Sequence, residues 1–108
     1  MMILKVTVDE QTFPLEVDEQ MMNLANDAFH KMDSDMEKGW QMSRNWVDNP
    51  NDVQRCQIVA DKLLTAIQQE KSATIGLMAA YIMHKIPEIQ AVDIDTSGDI
   101  SLTEIVMS

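Results

Sequence analysis

Residues 4–17 read Leu4-Lys5-Val6-Thr7-Val8-Asp9-Glu10-Gln11-Thr12-Phe13-Pro14-Leu15-Glu16-Val17, and their alternation decides the fold class. Leu4, Val6 and Val8 fall on one side of an extended chain, and Phe13, Leu15 and Val17 repeat the pattern after a polar interruption. Strand side chains alternate faces with a period of two, so this segment reads as an N-terminal β-hairpin with one apolar side. With Glu10 and Gln11 at the tip, Val8 faces Phe13, Val6 faces Leu15 and Leu4 faces Val17. The turn carries neither Gly nor Asn, the usual residues of a tight hairpin loop. Pro14 removes a ladder donor and marks its strand as an edge.

The period changes at Asp18, a good helix N-cap. Met22, Ala25, Phe29, Met32, Met36 and Trp40 then recur at steps of three and four, which predicts one long amphipathic helix. Its solvent side carries Asp27, Lys31, Asp33, Asp35 and Lys38, and Gly39 is where it can bend or end. Asp48-Asn49-Pro50-Asn51 is a connection, and Asn51 with Gln54 has capping-box spacing. A second helix over about residues 52–70 places Val53, Cys56, Ala60, Leu63 and Ile67 on one stripe. Ser72 can cap a third, which is apolar almost all round from Ile75 to Ile86 and so belongs in the middle of the molecule. Pro87 stops it.

These elements fill 108 residues, which is enough for a single domain spanning the chain and too little for two. Eighteen acidic against eight basic side chains give a net charge of -10 without any Lys/Arg cluster, which argues against nucleic acid and anionic membrane surfaces as partners. A lone cysteine, Cys56, makes no internal disulfide, and the first residues lack the pattern of a signal peptide. The longest apolar run, residues 75–83, falls far short of the roughly twenty needed to cross a bilayer. The expectation is a soluble, cytoplasmic protein.

One segment carries chemistry. Asp93-Ile94-Asp95-Thr96-Ser97-Gly98-Asp99-Ile100-Ser101-Leu102-Thr103-Glu104 resembles the twelve-position calcium loop of the EF-hand family at every constrained position. Calcium takes about six to eight hard oxygens, and a loop collects them only by folding back on itself. The resemblance implies that Asp93, Asp95 and Ser97 supply side-chain oxygens, that Asp99 offers its backbone carbonyl, and that Ser101 holds a bridging water. Glu104 would close the shell with both carboxylate oxygens. Gly98 stands at the sharp turn, and Ile100 at the apolar position that packs beneath the loop. The family also implies flanking helices, here the short segment 87–92 before the loop and residues 102–108 after it. Asp33-Ser34-Asp35 begins a similar run, but its Gly39 comes one place late and Arg44 stands where an acid is needed.

The same residues support a second architecture. Residues 91–95 and 99–103 also alternate, and Thr96-Ser97-Gly98 suits a three-residue tip, so that Ile94 faces Ile100 and Val92 faces Leu102. The fold expected is therefore α+β, an N-terminal hairpin packed on a three-helix bundle, with either a C-terminal EF-hand-like loop or a second β-hairpin that completes a four-stranded antiparallel sheet.

The remaining polar residues suggest no enzyme. His30 is a surface histidine, His84 and Lys85 suit the C-terminal end of a helix, and Cys56 lies on an apolar stripe without a base beside it. No nucleophile elbow or phosphate-binding glycine loop is present. Ten methionines are the compositional oddity, and Met36, Trp40 and Trp46 together suggest an apolar patch that a second subunit would cover. Two functional expectations result: a non-enzymatic Ca2+-binding protein with a single EF-hand-like loop, or a metal-free interaction or assembly module, homo-oligomeric as in a homodimer, whose C-terminal acidic segment is a β-hairpin.

Overall fold

In the computed structural model, which describes residues 2–107, strands β1 (Met2–Val8) and β2 (Gln11–Val17) form the N-terminal hairpin. Its tip is Asp9-Glu10, one residue earlier than the alternation suggests, and the pairs are Val6 with Phe13, Leu4 with Leu15 and Met2 with Val17. Asp9 and Glu10 both have positive φ, 49° and 70°, the type I′ geometry whose twist matches that of the flanking strands. Asp tolerates that region better than Gln, which explains why the turn closes over Asp9 rather than Gln11. Partners shift by two residues, so the same side chains still share one face, but Phe13 near the tip is exposed and does not join the core.

Asp18 caps the next helix as expected, its carboxylate accepting from the Gln20 amide at 2.9 Å. The single long helix is instead two, α1 (Glu19–Leu24) and α2 (Asn26–Glu37). Ala25, with ψ near zero, redirects the axis while Ala25 N still bonds Met21 O and Phe29 N bonds Ala25 O. Neither Gly nor Pro marks the bend, so periodicity alone misses it. The helical course ends at Lys38, and Gly39 turns the chain at φ +107° under the ring of Trp46, where a Cβ would collide with the indole. Trp40 therefore belongs to a small hairpin, β3 (Trp40–Met42) with β4 (Asn45–Val47), and not to the helix. The expected patch also dissolves. Met36 is wholly buried and the Lys62 ammonium sits over the Trp40 ring, so of the three only Trp46 stands well exposed.

Helix α3 (Asp52–Gln68) starts with the anticipated capping box, Asn51 and Gln54 bonding each other's backbone amides at 2.8 and 2.9 Å. Helix α4 (Ser72–Lys85) has Lys71 rather than Ser72 at its N-cap position and makes no side-chain cap. Its residues Met78 to Met83 are all buried, as an apolar surround requires. Segment 87–92 is not a helix: β5 (Ile89–Ile94) begins two residues after Pro87, and β6 (Glu104–Met107) follows a single 3-10 turn, Ile100–Leu102.

The sheet order is β2-β1-β5-β6. A second hairpin thus completes a four-stranded sheet, but the sheet is mixed: β1 and β5 run parallel, with Thr7 opposite Asp93 and Val8 opposite Ile94. A parallel neighbour needs a long crossover, and the helices between β2 and β5 supply it. Leu4, Val6, Val17, Val92 and Ile94 point from one face into the helices, while Lys5, Asp93 and Glu104 lie exposed. The β5–β6 register pairs Asp93 with Glu104 and Val92 with Ile105, not Val92 with Leu102. Residues 95–103 stay outside the ladder, because Thr103 is buried at 3% exposure and Ile100 packs on the core.

Asp33 departs from its expected place on the solvent side. Its carboxylate accepts from Arg55 at 2.9 Å, Lys85 at 2.8 Å and the Tyr81 hydroxyl at 2.5 Å, tying α2 to α3 and α4. Burial raises the pKa of this carboxyl, but the three donors outweigh it and hold the group below its ordinary value. Among the described residues no helix is long and apolar enough to cross a membrane.

Candidate metal centre

Strand pleating places the two ends of the acidic segment. Val92 and Ile94 enter the core, so Asp93 between them projects from the outer face of the sheet. Glu104, its register partner on β6, shares that face, and two carboxylates therefore stand side by side across the ladder. Such a like-charge pair is unfavourable without a counterion.

Asp95 follows β5 directly. Its Oδ2 accepts from the Ser97 amide at 3.0 Å, the Ser97 hydroxyl at 2.6 Å and the Asp99 amide at 3.2 Å. The Ser97 hydroxyl is the main reason that the Asp95 carboxyl is held below its usual range, and the loop amides add to it. Gly98 lies in this turn at φ +99° with open space where a side chain would go. Asp99 then caps the 3-10 turn, accepting from the Ser101 amide at 3.0 Å and its hydroxyl at 2.5 Å.

Two devices fix this loop to the body of the protein. Thr103 Oγ1 accepts from the Asp95 amide at 3.0 Å, and Gln57 on α3 donates through Nε2 to the carbonyls of Thr103 at 2.9 Å and Ser101 at 3.3 Å. A third contact reaches the N-terminal hairpin, where Thr96 Oγ1 donates to Asp9 Oδ1 at 2.8 Å.

Asp93, Asp95 and Glu104 line one recess of about 370 Å³ together with Thr7, Asp9, Glu10, Ile94, Thr96 and Leu102. Among the described residues, five carboxylates and no basic side chain line it. Asp9 and Glu10 are additions that the loop pattern does not contain. They arrive because β1 and β5 run parallel, which sets the end of β1 beside the end of β5, and a local motif carries no signal of that pairing. Ser97 does not line the recess. Asp99 and Ser101 line another, with Arg44, Asn45, Gln54 and Gln57. Among the described residues, no three His, Cys, Asp or Glu side chains already stand as a cage for a metal ion.

His84 and Cys56 have packing roles. Phe29 stacks on His84 at 4.9 Å between ring centres, and Cys56 is buried in the core, its thiol pushed up to about 12 chiefly by burial and secondarily by Asp52. Such a thiol is no nucleophile. Comparison with protein families, curated proteins and solved structures finds no match to this chain.

Proposed function

We propose that this is a small, non-enzymatic protein that binds a divalent cation, Ca2+, at the acidic recess between the β1–β2 turn and the C-terminal loop. The observation that carries the reading is the opposition of Asp93 and Glu104 across β5 and β6, the first and twelfth positions of the loop pattern. Asp95 enters the same recess, and Asp9 adds a carboxylate from a separate element. An ion here relieves the repulsion among these groups, which is a gain in binding free energy that a neutral ligand does not obtain.

Of the residues named by the resemblance, Asp93, Asp95 and Glu104 are the side-chain ligands that this arrangement favours. Ser97, Asp99 and Ser101 supply the turn in their present hydrogen-bonded form, and reach the ion only if the loop re-forms around it. That rearrangement costs free energy, so the affinity belongs to the weak end of calcium loops, micromolar to millimolar. A strand on each side, in place of a helix, means that binding orders the loop and recess and opens no helix pair. The reading fits a cytoplasmic protein and a single structural or regulatory ion.

Calorimetric titration of the chelator-stripped protein with calcium tests this. One ion per chain is expected, with heat lost in Glu104→Gln and in Asp93→Asn. An absence of heat at millimolar calcium overturns the proposal.

A further inference from the structure

Three of the exposed large apolar residues, Val53, Leu102 and Met107, gather at one place, and Val106 lies beside them on the other face of the same strand. They line a groove of about 500 Å³ between the first turns of α3 and β6, with Gln57 and Ile105 at its floor. Leu102 is 60% exposed and Met107 49%, an unusual concentration for the surface of so small a domain. The groove runs along an edge. Among the described residues β6 is the last strand of the sheet, and no other strand lies on the side it turns away from β5.

We propose that β6 accepts an added strand from a protein partner whose extended segment alternates basic and apolar side chains. Strand addition takes its affinity from main-chain bonds to an open edge and its specificity from the alternate side chains. The pleat of β6 sets that alternation. Ile105 pairs with Val92 on the core side, so Ile105 and Met107 face the helices while Glu104 and Val106 face outward. On the helix side the incoming residues meet Val53, Leu102 and Met107, and must be apolar. On the outer face they meet Val106 and then Glu104, with Asp93 behind it and, beyond these, the recess holding Asp95, Asp9 and Glu10. Lysine or arginine fits there. Residues 86–108 contain no basic side chain to pair with these carboxylates.

Charge selects this occupant over a second copy of the same chain, which would bring another -10 to an acidic rim. The inference does not depend on calcium, and its test is run in chelator so that the two readings fail separately.

The probe is a fluorescently labelled peptide of alternating lysine and valine, compared by anisotropy with one of alternating glutamate and valine. The lysine peptide is expected to bind the full chain and the glutamate peptide is not. The double variant Val53→Ser, Leu102→Ser changes only exposed positions and should weaken binding by about tenfold or more, equivalent to about 1.4 kcal/mol. Glu104→Lys should reverse the preference between the two peptides. Bound peptide should also slow amide hydrogen exchange in β6. The proposal is overturned if the lysine peptide fails to bind, if it binds the double variant as well as the wild type, or if β6 amides exchange unchanged. Sedimentation of a dimer that disperses in the double variant would give the groove to a second copy and overturn it equally.

Discussion

Asp93 on β5 and Glu104 on β6 are direct register partners, so the sheet sets two carboxylates against each other on its outer face. The pair lies over a recess lined, among the described residues, by three further acids and no basic side chain, and this frustration is a property of the metal-free protein. Removing one charge should therefore stabilise it. Glu104→Gln is expected to raise unfolding free energy in chelator by about 0.2–1 kcal/mol, the range for cross-strand pairs. In saturating calcium the order should invert, with the wild type gaining stability and the variant not. Urea denaturation in both conditions checks the two signs.

The Gln57 amide holds the loop through the carbonyls of Thr103 and Ser101. Gln57→Leu keeps helix α3 and removes both donations, at a cost of about 1–2 kcal/mol. Amides of residues 95–101 should then exchange faster while those of α4 do not. Gln57→Glu presents a carboxylate to the two carbonyl oxygens and should be worse than leucine at neutral pH, recovering on acidification as the new acid gains a proton. Hydrogen exchange followed residue by residue separates these outcomes.

Asp33 collects Arg55, Lys85 and Tyr81, and its carboxyl pKa lies below the unfolded value. A depressed acid contributes stability that is fully present above its unfolded pKa of about 3.9 and is lost as pH falls through the lower folded value. Asp33→Asn leaves two partly buried cations without their counter-charge and is expected to cost about 2 kcal/mol or more at neutral pH. Its stability should then fall less steeply than that of the wild type below about pH 4. Thermal melts of both proteins across the acid range measure the difference.

The Cys56 thiol is buried with a pKa pushed up to about 12. Iodoacetamide at mildly alkaline pH should leave the folded protein unmodified, and alkylation should follow the unfolding curve in denaturant. Mass spectrometry across a urea series reads this directly.

The elements whose signal is local were legible in the sequence. Alternation between Leu4 and Val17 gives the hairpin, and Asn51 with Gln54 gives the start of α3 because a capping box is complete within four residues. The buried character of α4 follows from its lack of a polar face. What escaped depends on distant partners. The bend at Ala25 has no breaker residue, and the parallel pairing of β1 with β5 is fixed by a crossover that spans most of the chain. Asp33 looks solvent-facing on a helical wheel because Arg55, Tyr81 and Lys85 come from other elements. At the candidate site, the motif names Asp93, Asp95 and Glu104, which share a recess, but it cannot name Asp9, which the fold brings in from the first hairpin.

The most direct measurement is the amide spectrum of the isotopically labelled protein during addition of calcium to about 10 mM, above the weakest range of natural calcium loops. Saturable shifts confined to residues 93–104 and the turn around Asp9 are expected, with the Gly98 amide moving furthest and magnesium producing much less. Resonances of that segment that stay in place through the whole titration would contradict calcium binding at the recess.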